Sequence, residues 1–350
     1  MLKKILEKFS KDIGIDLGTA STLVYVRGRG IVINEPSVVA INQKTGQMVA
    51  IGEDAKKMVG RTPSQIVATR PLIAGVVSDF EVTEEMLKHF IRKVHEENAS
   101  FFARPRVVIG VPSQITEVEK RAVEDAAKNA GAREVYLVEE PMAAAIGIRL
   151  PIQEAIGSMI VDIGGGTTDI AVISLGGIVV ARNLRVAGDK FNDDIIRFAR
   201  DEFKLLLGER TAEDIKIAIG SAHELEEPLE APMRGRDLVT GLPKELMVDD
   251  TDIRLALRHS INILVNSVKS VVEETPPELV ADIMHRGIHL VGGGSLLKGL
   301  DRLLNEETHI PVKVAEDPLT AVVRGTGIIL EDIDLLKDVL VNTDYEKVPN

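Results

Sequence analysis

Hydrophobic positions along this chain switch repeatedly between short continuous runs, as strands show, and helical i, i+3, i+4 spacing. Residues 12 to 32 read as paired strands, and 37 to 51 as further short strands broken by a turn at Lys44-Thr45-Gly46-Gln47. Met86, Leu87, Phe90, Ile91 and Val94 then recur at helical spacing, which predicts a helix over 83 to 98 with Thr83 as its cap. A buried strand at 106 to 111 follows, then a helix over 114 to 130 closed by Gly131, a strand at 135 to 138, and a helix starting at Pro141. The second half repeats the plan from Ser158, with helices near 189 to 206, 211 to 219 and 252 to 274. A glycine-ended strand at 288 to 293 and helices at 295 to 306 and 318 to 331 complete it. Strands alternating with helices predict an α/β protein with helices on the sheet faces, and the repeated plan predicts two similar lobes.

Composition narrows the class. With 350 residues and 45% hydrophobic content the chain can bury two cores. Its net charge of −12 argues against a general nucleic-acid binder. With 0 cysteines, neither disulfides nor thiolate metal sites are available, which suits a reducing cytoplasm. No apolar run approaches the ~18 to 20 residues of a membrane span, and the N-terminus lacks a signal-peptide apolar core, so the expectation is a protein that is not integral to a membrane.

Three glycine turns carry the candidate chemistry. Asp16-Leu17-Gly18-Thr19-Ala20-Ser21 and Asp162-Ile163-Gly164-Gly165-Gly166-Thr167-Thr168 each follow a short apolar run and lead into another, so the expected geometry is strand, turn, strand. A carboxylate among apolar neighbours is costly to bury unless a cation or hydrogen bonds compensate it. Two such carboxylates, each followed by glycine and hydroxyl residues, point to a duplicated phosphate clamp. Asp16 and Asp162 would hold magnesium through water, and Gly18, Thr19, Gly165, Gly166 and Thr167 would donate to phosphate oxygens. Taken singly, each is also compatible with an ordinary turn. The pattern is neither a Walker loop nor a dinucleotide fingerprint. The third turn, Gly292-Gly293-Gly294, ends an apolar strand and would let a flat ring or sugar lie against the backbone, though a glycine-rich strand-to-helix turn is the plain alternative.

The set Ile15 to Thr19, Val161 to Thr168 and Val291 to Gly294 resembles the phosphate-one, phosphate-two and adenosine signatures of the actin, heat-shock chaperone and sugar kinase superfamily. Within it, Asn34-Glu35-Pro36-Ser37-Val38-Val39-Ala40, Gly60-Arg61-Thr62-Pro63, the run from Glu139 to Gly147 and Ala315-Glu316-Asp317-Pro318-Leu319 resemble the MreB family of bacterial actins, almost end to end. The resemblance implies an actin-like ATPase fold, two similar α/β lobes each with a large inner and a small outer subdomain, and ATP with magnesium in the cleft. It divides the chain into a membrane-binding segment at 1 to 11, lobe I at 12 to 147 with an outer subdomain at about 33 to 67, and lobe II at 148 to 331 with an outer subdomain at about 185 to 254. A C-terminal segment at 332 to 350 returns to or flanks lobe I.

Residue roles follow from the same likeness. The phosphate-one signature covers Asp16, Gly18, Thr19, Ala20 and Ser21, and the phosphate-two signature Asp162 and Gly164 to Thr167. Glu140 resembles the residue that orients the attacking water, with Thr167 assisting and Asp162 beside them. The residues alone place Glu140 at a helix cap, where complementing the dipole is the plain alternative. Glu213 and Lys216 match a helix that holds ribose and adenine, and by spacing alone they equally make an exposed ion pair. Ser21 stands where the family has asparagine, and Ala187-Gly188-Asp189 replaces Gly-Gly-Asp.

At the N-terminus, Leu2, Ile5, Leu6 and Phe9 form one helical stripe with Lys3, Lys4, Lys8 and Lys11 elsewhere. It resembles the amphipathic anchor of some family members, and packing on its own lobe is the alternative. Phe101-Phe102, beside Arg104 and Arg106, suits the same membrane-facing edge or ordinary core. Val118 in Thr116-Glu117-Val118-Glu119 matches the family's filament-pairing helix, with core burial as the alternative. The expected function is an ATP-dependent filament, with partners implied by likeness alone: other copies in paired protofilaments, the inner face of the cytoplasmic membrane, and the cell-wall elongation machinery that maintains rod shape. A plasmid-partitioning actin, a chaperone-type ATPase and a small-molecule kinase are the rivals. The chaperone would need a substrate domain beyond the lobe that ends near 331.

Overall fold

The computed structural model describes residues 11–96 and 104–341. Leu2, Ile5, Leu6, Phe9, Phe101 and Phe102 lie outside the described residues. The chain forms two compact units, one of Met1–Ala155, Ile173–Ile178 and Thr320–Asn350, the other of Ile156–Val172 and Val179–Leu319.

The first unit is built on a five-stranded sheet ordered Glu134–Glu139, Arg106–Val111, Ile13–Leu17, Ser21–Val26, Gly30–Pro36. Ile13–Leu17 runs parallel to Arg106–Val111 and antiparallel to Ser21–Val26. Alternation along Ile13–Leu17 assigns its two faces. Ile13, Ile15 and Leu17 join the core with Met86, Leu87 and Phe90 of helix Phe80–Glu96 and with Val123, Ala126 and Ala127 of helix Glu117–Asn129. Gly14 and Asp16 face the other way. There a Cβ on Gly14 would lie 2.5 Å from Thr326 Oγ1 of helix Ala321–Glu331. A small three-stranded sheet, Met48–Ile51, Val39–Asn42 and Ile66–Thr69, packs with helix Glu53–Met58 around a core of its own containing Val38, Ala40 and Ala55.

The second unit's sheet repeats that order: Gly177–Leu184, Thr168–Ser174, Ser158–Ile163, Ile288–Val291, Val312–Val314. In both sheets the first strand in sequence is central, with a hairpin on one side and two later strands on the other. Met159, Val161 and Ile163 pack with Phe191 and Ile195 of helix Gly188–Phe203 and with Leu257, Ile261 and Leu264 of helix Asp250–Glu274. A smaller sheet of Leu205–Leu206, Glu230–Asp237 and Pro243–Asp249 contributes Ala231, Met233 and Val248 to the same core.

Four expectations change. Asp79, not Thr83, caps helix Phe80–Glu96, since its carboxylate accepts from the Val82 amide at 3.1 Å, while Thr83 lies buried inside the helix. Glu139 occupies the cap before helix Glu140–Gly147, which makes Glu140 its first residue. The helix expected at 295 to 306 is instead a 3-10 turn, Gly293–Leu296, and a separate helix, Leu300–Thr308, parted by Gly299 at φ +71°. Finally, helix Ala321–Glu331, expected in the second lobe, belongs to the first unit. Its Gly325 lies so close to helix Glu140–Gly147 that a Cβ there would be 1.7 Å from the Ala143 carbonyl oxygen. Sequence adjacency carries no sign of that return.

Candidate nucleotide site

Asp16 and Asp162 occupy the same position in their sheets. Each is the penultimate residue of the central strand, on the face away from the main core, at the strand's carboxyl end. Open α/β sheets bind ligands beyond those ends.

In the second unit, Asp162 pairs in parallel register with Val291, so the turns that follow both strands come together. Gly292, at φ +77°, could carry no side chain: a Cβ would sit 2.4 Å from Asp162 Oδ1 and 2.4 Å from the Ile163 carbonyl. A Cβ on Gly294 would meet Ile163 Cγ2 at 2.3 Å. Ser295 donates its hydroxyl hydrogen to the Gly292 carbonyl at 2.6 Å and holds the turn from below. Ahead of it, the Gly164 amide bonds the Thr167 carbonyl at 2.9 Å and closes the phosphate-two turn. The first two amides of helix Gly188–Phe203 donate to the Gly164 and Gly165 carbonyls at 3.1 and 2.8 Å, which fixes that turn in one arrangement. Lys216 reaches the same place from helix Glu209–Ile219, its Nζ donating to the Gly188 carbonyl at 2.9 Å. Glu213 and Lys216 are both half-buried. Thr167 is buried beside the turn, while the Thr168 hydroxyl is committed to the Val186 carbonyl.

Lys298 ties the third turn to that helix by donating to the last carbonyls, Ile217 at 3.0 Å and Ala218 at 2.8 Å. The methyl at Ala187 costs the site nothing: φ is −158°, an extended conformation open to any residue, and the side chain is fully buried.

In the first unit, Gly18 lets the phosphate-one turn close tightly, because a Cβ would lie 2.8 Å from the Ser21 carbonyl. Ser37 donates to the Gly18 carbonyl at 2.6 Å, and its amide donates to the Ala20 carbonyl at 3.1 Å. The Thr19 hydroxyl accepts from the Gly75 amide at 2.8 Å, which leaves its hydrogen to donate elsewhere. Asp16 pairs with Gly110 in the neighbouring parallel strand, and a Cβ on Gly110 would lie 3.4 Å from Glu140 Cγ. The strand pairing thus brings Asp16 and the buried Glu140 to one face. Burial pushes the Asp16 carboxyl from 3.8 up to about 7.

Asp16 and Asp162, each within its own unit, are hard oxygen donors of the kind magnesium takes, and Asp16 in particular would gain from a neighbouring cation that favours its ionised form. Among the described residues no group of three or more His, Cys, Asp or Glu could hold a metal ion. Val118 lies apart from all of this, at 80% exposure near the start of helix Glu117–Asn129, which settles its alternative against core burial. Ser37, Gly75, Gly188 and Lys298 were not singled out as site residues by the sequence. Ser37 and Gly188 had a signal there, each inside a family-like stretch; Gly75 and Lys298 reach the turns through tertiary contacts.

Comparison with known proteins places this arrangement. The MreB/Mbl protein family profile matches residues 10–338. The chain is 53% identical over 339 residues to "Cell shape-determining protein MreB" of Escherichia coli (strain K12), covering 96% of this chain and 97% of that protein. It is 52% identical over 328 residues to "Cell shape-determining protein Mbl" of Bacillus subtilis (strain 168), covering 94% and 98%. Among solved structures, MreB5 of Spiroplasma citri bound to AMPPNP superposes with a TM-score of 0.89 at 40% identity, covering 93% of this chain and 97% of that one. The same protein bound to ADP gives 0.88 at 39%, covering 94% and 98%. With two sheets of one strand order, an aspartate at the same place in each and matches that run nearly end to end, the chain has the actin-like fold and belongs to the MreB/Mbl family.

Proposed function

We propose that this protein is an ATP-dependent polymerising bacterial actin that forms filaments on the inner face of the cytoplasmic membrane, organises cell-wall synthesis and maintains rod shape. The observation that carries the reading is the repeated aspartate-and-glycine turn at the centre of each five-stranded sheet. The MreB5 structures with ADP and AMPPNP support a nucleotide ligand for such turns. The names of the MreB and Mbl relatives support the cell-shape role over plasmid partition, chaperone or kinase activity.

In this reading, Gly18 and Thr19 of the first unit and Gly164 to Thr167 of the second bind the phosphates, and Gly292 to Gly294 with Glu213 and Lys216 bind the nucleoside. Asp16 and Asp162 would hold magnesium through water, and the ion would offset charge on the phosphate oxygens as the terminal group leaves. Glu140 aligns the attacking water, assisted by the Thr167 hydroxyl. Its place at the first helical position, beyond the strand end and on the Asp16 face, suits that role. Self-association in paired protofilaments uses Val118, and the N-terminal stripe and Phe101-Phe102 supply the membrane contact.

The test is Glu140→Ala. The variant should bind ATP with magnesium and still pellet as polymer, yet release phosphate at least about tenfold more slowly, a loss of ~1.4 kcal/mol or more of transition-state stabilisation. Phosphate release at the parent rate removes Glu140 from the mechanism. Failure of the parent chain to pellet with ATP removes the polymer reading.

A further inference from the structure

The third glycine turn is asymmetric. Gly292 and Gly294 are pressed against Asp162 and Ile163, at distances that exclude any side chain, so those two residues face the sheet. Gly293 faces the other way. Among the described residues, its own chain neighbours aside, the only heavy atom within 4 Å of a Cβ placed on it is Leu319 Cδ2, at 3.2 Å. Leu319 itself is 51% exposed, so about half of its side chain is open to contact. The backbone just before it is held in place: the Gly292 amide donates to the Pro318 carbonyl at 2.9 Å, and Asp317 adopts φ +48°, a left-handed conformation uncommon for a residue that is not glycine. A single hydrogen bond and a strained residue thus hold an apolar side chain at the open face of the glycine.

We infer that Leu319 is a specificity-determining contact for the nucleotide base, an apolar wall that meets a purine ring lying on Gly293. A flat heteroaromatic ring needs a surface without side chains on one face and gains from apolar contact beside it. Gly293 provides the first and Leu319 the second. Lys298 fixes the same turn to the helix that bears Glu213 and Lys216, so polar groups for the rest of the nucleoside stand on an element bonded to this one. The exposed half of Leu319 is then the half that the base covers. The inference rests on the nucleotide reading and adds to it a ligand contact 25 residues beyond the glycine turn, outside all three signatures.

The experiment compares two ligands on the intact chain, ATP and inorganic tripolyphosphate, each with magnesium, by thermal shift and by calorimetric titration of the parent, Leu319→Ala and Leu319→Met. Loss of an apolar wall should weaken ATP by about tenfold in Leu319→Ala and leave Leu319→Met near the parent. Tripolyphosphate, which has no base, should stabilise all three equally. Equal weakening of both ligands would show that Leu319 supports the turn without touching a base, and undiminished ATP affinity in Leu319→Ala would overturn the inference. Lack of ATP binding by the parent would instead defeat the nucleotide reading itself. Ligand-free melting of both variants close to the parent establishes that the fold is intact, and a drop in Leu319→Ala alone would count as the structural outcome.

Discussion

Asp16 shows how one residue's burial becomes a pH dependence. Its carboxyl is pushed from 3.8 to about 7, so between those values the folded chain holds a proton that the unfolded chain has released. Ligand-free stability therefore falls as pH rises from about 4 to 7 and stays reduced above. At ~1.4 kcal/mol per unit the shift amounts to at most about 4 kcal/mol, and on the order of 2 once solvent access to this half-buried group is allowed for. Asp16→Asn should remove that dependence. Ligand-free, the variant melts near the parent at pH 4 and above it at pH 8, while magnesium-dependent ATP binding weakens sharply. A melting difference that does not grow with pH would mean that Asp16 ionises normally in the fold.

Among the elements, two helices of the first unit separate packing from assembly. Helix Ala321–Glu331 meets helix Glu140–Gly147 through glycines, Gly325 against the Ala143 carbonyl and Gly147 against the Ala321 carbonyl. Gly325→Ala should cost about 3 kcal/mol, because its methyl would have to displace backbone. The denaturation midpoint reads this directly, and an unchanged midpoint would contradict so close an approach. Helix Glu117–Asn129 behaves oppositely at Val118, whose 80% exposure leaves stability insensitive to change. Val118→Glu should shift stability by no more than about 0.5 kcal/mol and give single protofilaments in electron micrographs. Paired filaments from the variant would place pairing elsewhere.

For the molecule as a whole, membrane attachment should depend on assembly. Among the described residues no helix is long and apolar enough to cross a membrane. The stripe of Leu2, Ile5, Leu6 and Phe9 is short, so each copy should bind weakly while a filament presents many anchors together. Co-sedimentation with anionic vesicles should rise when ATP drives polymerisation and fall when residues 1 to 10 are deleted, with ATP binding retained. Equal binding of monomer and filament would contradict avidity.

The sequence by itself determined the two aspartate-and-glycine turns and their repetition. Asp16 and Asp162 with their glycines follow strands and precede strands as their neighbours require, because alternation and turn residues are local properties of the chain. The Glu140 helix and the Gly292 turn were legible for the same reason. Local signals also misplaced some boundaries, as at Thr83 and at 295 to 306, where a side-chain cap and a left-handed glycine decided. What only the tertiary structure decided were the long-range contacts: Ser37 on Gly18, Gly75 on Thr19, Lys298 on the helix of Lys216, Leu319 on Gly293, and the return of helix Ala321–Glu331 to the first unit. Each joins residues far apart in the chain through a carbonyl, an amide or the bare face of a glycine. Such partners have no periodicity and no characteristic residue type, so they become visible only once the backbone has folded them together.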